Sequence, residues 1–183
     1  SAFQTRYLVV ASDGLKDFIR ARNVTASSLA QMVTAFPRYF TAIRASNLSL
    51  TTGAVDARIR ANYATIEALY PAAVFPPVTL LVGRFSTGGT ITEKGLLIGS
   101  EFYSITAATP LDELPSFQRH NVKAVDSLPI IVAHEHAHVL QAHARVFEHG
   151  SRNLLEQSLM EGGAHFIGER SSGGNINAWL WRS

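Results

Sequence analysis

The chain has 183 residues, 46% of them hydrophobic and 16% charged, which is the balance of a globular protein with a sizeable core. A formal charge of +2 and no Lys/Arg cluster longer than a pair give no electrostatic footprint for nucleic acid. The absence of cysteine excludes disulfides and thiolate ligands, so any metal must be held by His and carboxylate.

No apolar run approaches the ~20 residues of a membrane span. The longest, Leu128 to Ala133, leads straight into a His cluster. The segment Ser1 to Tyr7 has neither the basic start nor the apolar stretch of a signal peptide, and a chain starting at Ser1 rather than Met is expected to be a trimmed or mature form.

In chain order, Leu15, Phe18 and Ile19 suggest a short first helix. Leu29, Met32, Val33, Phe36, Phe40 and Ile43 recur at helical spacing after a cap at Ser27 or Ser28, predicting one amphipathic helix bent near Pro37. Val55, Ile59, Tyr63, Ile66 and Leu69 predict another from about Thr52, stopping before Pro71. These helices make residues 1–75 a helical N-terminal part of a single domain covering 1–183.

The texture changes at Pro76-Pro77. The runs Val78 to Val82, Thr90 to Thr92 and Leu96 to Gly99, separated by Ser86-Thr87-Gly88-Gly89 and Gly95, predict a small, partly antiparallel sheet within 76–105. Ile105 to Val125, with Pro110 and Pro115, reads as a loop-rich connection. Asp126 or Ser127 would cap a helix that admits Pro129 in its first turn and runs to about Phe147. Asn153 with Glu156 three residues on forms a capping-box pattern for a last helix, to about Arg170, stopped by Gly173-Gly174. The expected class is α+β, mainly helical.

The chemistry is concentrated in 126–170. His134-Glu135-His136-Ala137-His138 contains His-Glu-x-x-His, and four residues on a helix turn about 400°, so His134 and His138 share a face and can reach one ion at roughly 2.0 to 2.1 Å. Glu135 lies about 100° round from His134, placed to take a proton from a metal-bound water rather than to be a ligand. Glu161, in Met160-Glu161-Gly162-Gly163-Ala164-His165 on the next helix, is the expected third ligand, with the small residues letting the helices approach. A His₂Glu set keeps one position open, and the cofactor expected is one Zn²⁺ per chain.

The metzincin pattern fails, because its Gly and third His positions hold Gln141 and Ala144. His136 and His143 project to the far side of the helix, as solvated groups or hydrogen-bonding support for the site. His165, one turn after Glu161, is either a group orienting a ligand, a donor to a developing oxyanion, or a helix-packing His. Glu169 reads as a solvent-facing charge. Tyr103, Arg119, His120 and His149 are further candidate transition-state donors that nothing in the sequence positions.

With His134-Glu135-x-x-His138 followed by Glu161-Gly162-Gly163-Ala164, the chain resembles the gluzincins, the His₂Glu zinc peptidases that include thermolysin. Leu80 to Arg84, Gly88 to Thr92 and Gly95 to Glu101 resemble a bacterial family of predicted zinc-dependent proteases catalogued as a domain of unknown function; this likeness covers roughly 76–168. The bacterial character of that family, together with the start at Ser1, favours secreted or periplasmic residence over cytoplasmic. The resemblance implies a zincin-like fold, with an edge strand lying over the active-site helix and pairing with an extended peptide substrate. Gly95, Leu96, Leu97 and Ile98 are the expected edge strand, with Thr87 to Thr92 the alternative. Thermolysin-like enzymes carry an Asp four residues after the Glu ligand, where this chain has His165. Their transition-state donors come from a domain after that Glu, whereas here the chain ends at Ser183, just past Trp179 and Trp181.

The function expected is peptide-bond hydrolysis on a peptide or protein substrate, with Glu135 as general base. The alternatives are a zinc amidase acting on a non-protein amide, and a non-catalytic module in which zinc fixes two helices.

Overall fold

The computed structural model describes residues 1–51, 53–146 and 153–175. After a π-helical turn over Gln4–Leu8 come α1 (Asp13–Arg22), α2 (Ala26–Ala35), α3 (Pro37–Ser49) and α4 (Gly53–Leu69). The strands β1 (Val78–Leu81), β2 (Gly89–Thr92) and β3 (Gly95–Gly99) follow, then α5 (Ser116–Asn121), α6 (Leu128–His143) and α7 (Leu154–Ser172). This is a mainly helical α+β chain with one small mixed sheet. It divides into two compact units, each discontinuous in sequence: residues 1–51 with 77–126, and residues 52–76 with 127–183.

In the first unit, the sheet order is β1-β3-β2. β1 runs parallel to β3, with Val78 opposite Leu96, and β2 runs antiparallel to it, with Thr92 opposite Gly95. Gly95 makes this connection possible: its φ is +112°, and a Cβ there would lie 2.2 Å from the Pro77 carbonyl oxygen, which accepts from Leu96 N. β3 is therefore the central strand, buried along its whole length. That corrects the expectation for Gly95, Leu96, Leu97 and Ile98. Their backbone groups are engaged by β1 on one side and β2 on the other, leaving no edge for a substrate strand to join. The outer side of β2 is an edge of this sheet.

Ala11, Leu15, Phe18, Val24, Leu29, Leu81 and Leu97 form a core cluster of this unit. The helix expected from Leu29 to Ile43 is two helices. The residue before a proline is driven out of the α region, and Phe36 sits at φ −130°, ψ 57°, so α2 ends and α3 begins afresh with Pro37 in its first turn. Thr25, not Ser27 or Ser28, caps α2, in a reciprocal box with Ser28. α3 has no cap from its own N-terminal residue; Glu113 supplies one, accepting from Tyr39 N at 2.7 Å and Arg38 N at 3.3 Å.

The second unit is built from α4, α6 and α7, so the last helix of the helical N-terminal part packs with the His-bearing helices. Asn62 of α4 donates to the Pro129 carbonyl at 2.9 Å. α6 has Pro129 in its first turn, as expected, and α7 starts with the Asn153–Glu156 capping box and ends at Gly173 in the left-handed conformation. The close approach of α6 and α7 is made at Ala164 and Gly168: Ala164 is fully buried, and a Cβ on Gly168 would lie 3.2 Å from the His134 backbone. Gly162 has nothing within 4 Å and is not part of that approach, contrary to expectation. No helix among the described residues is long and apolar enough to cross a membrane.

Candidate metal centre

His134 and His138 stand one turn apart on α6, their rings 4.9 Å apart at 88°, and α7 brings Glu161 in front of both. Glu161 Oε2 lies 3.6 Å from His134 Nε2 and 3.4 Å from His138 Nε2. Among the described residues these three form one group that could hold a metal ion, and no other His, Asp or Glu joins it.

The separations test the fit. They are too long for hydrogen bonds, which run to about 3.2 Å for N–H···O. A cation held tetrahedrally at roughly 2.0 to 2.2 Å by N and O ligands puts those ligands roughly 3.3 to 3.6 Å from one another. The two His–Glu161 spacings match edges of such a polyhedron, so this donor set fits a small divalent ion, with a position left over among the described residues.

Electrostatics favour His134 as a ligand. Burial pushes the His134 imidazole down to about 4, with the neighbouring His138 and His165 adding to the effect and the Ala164 backbone opposing it. His134 is thus neutral near pH 7, the form whose lone pair binds a metal. Its Nδ1 is buried without a well-formed hydrogen bond. His138 differs: its Nδ1 pairs with Gln141 Oε1 at 2.9 Å, while Gln141 Nε2 donates to the Met160 carbonyl on α7 at 2.9 Å.

Glu135 is half-buried on α6 and is not a member of the ligand group. His165 lies against His134, ring centroids 4.5 Å apart and tilted by 43°, one turn past Glu161 on α7. His143 is exposed, as expected. His136 is neither a solvated group nor a hydrogen-bonding support. It is fully buried, stacked on Phe75 at 4.9 Å and tilted against Tyr63 at 4.7 Å, and neither ring nitrogen has a hydrogen-bond partner among the described residues. Burial pushes it down to about 4, so it behaves as a neutral aromatic plate.

The remaining candidates fall in the first unit or outside the described residues. Tyr103 is buried beside Phe102, with its hydroxyl 2.5 Å from where a Cβ on Gly88 would sit. Arg119 donates to the Leu114 carbonyl at 2.9 Å, and His120 is exposed beside Ser116. His149, Trp179 and Trp181 lie outside the described residues. Reasoning from the sequence missed Gln141, seeing in it only a mismatch to another clan's glycine. The available signal was its place three residues after His138, on the same helix face.

The chain matches no protein-family model, no curated protein and no solved structure.

Proposed function

We propose that the chain is a zinc-dependent metallopeptidase in which His134, His138 and Glu161 hold the ion and Glu135 is the general base. The observation that carries this reading is the convergence of the two Nε2 atoms on one Glu161 oxygen at 3.6 and 3.4 Å, with a carboxylate one residue past the first His. Two imidazoles and one carboxylate are a donor set typical of catalytic zinc, and three protein ligands leave a position for water or substrate. Zinc bound there would polarise a scissile carbonyl and make a coordinated water acidic enough to attack near neutral pH.

The chain's own residues supply the rest. Glu135 takes the proton from the attacking water and delivers it to the departing amine nitrogen, so the amide leaves as a neutral amine and the acyl carbon keeps the water oxygen. His165, against His134, is the candidate to steady that ligand.

The second reading is a purely structural metal that fastens α6 to α7, favoured by the ligands' distribution over those two helices. A structural site is usually closed by four protein ligands, and among the described residues this one has three. The test is metal content of the purified wild type and of His138→Ala, followed by peptide hydrolysis by wild type and Glu135→Gln. About one zinc per chain is expected in the wild type and none in His138→Ala. Glu135→Gln should keep its zinc and lose at least about a hundredfold in hydrolysis, general-base catalysis being worth 10²–10⁴. Undiminished cleavage by that variant would remove Glu135 from the mechanism, and loaded wild type that cleaves neither unstructured protein nor cell-wall amides favours the structural reading.

A further inference from the structure

Gln141 makes two hydrogen bonds that together leave no freedom in how its amide is oriented. One end lies 2.9 Å from the Met160 carbonyl of α7, the other 2.9 Å from His138 Nδ1. A carbonyl oxygen only accepts, so the amide end facing Met160 must be the NH₂. The end facing His138 is then the amide oxygen, which also only accepts, so His138 Nδ1 must carry the proton. In a neutral imidazole this leaves Nε2 with the bare lone pair, and Nε2 is the atom facing Glu161 at 3.4 Å.

We infer that Gln141 is a positioning residue that fixes His138 in the Nδ1–H tautomer before any metal arrives, with the Met160 carbonyl dictating the choice. The inference rests on the metal-site reading for its purpose, though the tautomer itself follows from the hydrogen bonds alone. Met160 immediately precedes Glu161, so a single amide ties the ring of the second ligand to the backbone that carries the third. The register of α7 against α6 and the aim of the His138 lone pair are set by the same group. Gly163 leaves just enough room for it, since a Cβ there would lie 3.2 Å from Gln141 Nε2. His134 Nδ1 makes no well-formed hydrogen bond among the described residues, although the Ala164 backbone acts on that ring. Gln141 sets the tautomer of His138 alone.

The experiment is ¹⁵N NMR of the histidine rings in metal-free full-length protein at about pH 8, beside zinc affinity by chelator competition, for wild type, Gln141→Met and Gln141→Glu. Methionine keeps the volume and helix propensity, cannot donate to Met160, and offers Nδ1–H only a weak thioether acceptor. Glutamate keeps the acceptor for His138 and loses the donor to Met160. In the wild type His138 should show its proton on Nδ1. In Gln141→Met that proton should move toward Nε2, and zinc should bind about ten- to hundredfold more weakly, the usual cost of losing a ligand's hydrogen-bonding support. Gln141→Glu should retain the Nδ1–H tautomer and bind zinc at least as tightly as wild type, because a carboxylate partner makes the ring more basic.

A wild-type His138 protonated on Nε2 would overturn the inference, and this reading needs no variant to fold. Equal weakening in both variants would also overturn it, leaving Gln141 as a clamp between helices. A wild type that takes up no zinc would defeat the metal reading while the tautomer measurement still decides the role of Gln141.

Discussion

Glu101 is the most heavily buried carboxyl in the first unit's polar interior, with no exposure to solvent, yet no countercharge stands beside it among the described residues. It is tolerated because its two oxygens accept from Gly83 N at 3.1 Å and Phe85 N at 2.9 Å, holding a loop in which Phe85 takes φ +54°. Those bonds offset the burial only in part, and burial pushes the carboxyl up from 4.5 to about 7. The sign follows directly. Between those two values the folded chain binds more protons at this site than the unfolded chain, so stability falls as pH rises through the window and is level above it. A shift of this size corresponds to a loss on the order of 3 kcal/mol. In Glu101→Gln the site cannot titrate. The unfolding free energy of the wild type minus that of the variant, measured by denaturant at about pH 4.5 and about pH 8, should fall by that amount, and an unchanged difference would show that Glu101 ionises normally. The same scale explains His136, whose place two residues after His134 suggested a supporting role. Its contacts with Tyr63 and Phe75 make it part of the packing instead.

At the scale of elements, the pairing of α6 with α7 decides whether three ligands meet. Glycines on α7 differ in what they do there. Gly168 sits against the His134 backbone, so a side chain must push α7 away from the ligands, whereas Gly162 faces open space in a helix interior. Gly162→Ala should stabilise the protein by about 0.5–1 kcal/mol through helix propensity alone, with zinc affinity unchanged. Gly168→Val should cost about 1–3 kcal/mol of overpacking and weaken zinc binding. Thermal melts and chelator competition on the two variants check both, and a neutral Gly168→Val would show that the helices do not cross where the structure has them. The sheet teaches a related point. Leu96 to Gly99 and Thr90 to Thr92 both read as short strands, and both lie in strands of the sheet, Gly95–Gly99 and Gly89–Thr92, but an apolar run says nothing about its neighbours. The complete burial of β3 reflects its place between two strands, which the alternation of side chains along it does not encode.

For the molecule as a whole, the chain passes between its two compact units three times, and the three described residues that could hold a metal all lie in the second. An ion held there would tie α6 to α7, which also meet at Ala164, Gly168 and the Gln141 bridge. A ligand that binds only the native state stabilises it in proportion to the logarithm of its concentration over Kd, about 4 kcal/mol at a thousandfold excess. Adding a strong chelator should therefore lower the melting temperature of the zinc-loaded protein and speed amide hydrogen exchange in α6 and α7. Exchange in those helices that is indifferent to chelation would mean the ion does not bridge them.

Sequence alone determined the parts of this protein that depend on short-range rules. Helix periods placed α1, α4, α6 and α7 to within a few residues, the Asn153–Glu156 box set the start of α7, Pro76-Pro77 marked the change to strands, and the spacing of His134, Glu135 and His138 named three chemical groups on one helix. Tertiary structure alone decided what depends on residues distant in the chain. It made β3 central rather than an edge, gave α3 its cap from Glu113, moved α4 into company with α6 and α7, buried His136, and brought Glu161 and the Met160 carbonyl to the face that His138 and Gln141 share. The division has one physical cause. Propensity, capping and helical periodicity act over a turn or two of chain, whereas register, burial and the meeting of ligands are set by packing between segments that no local pattern records.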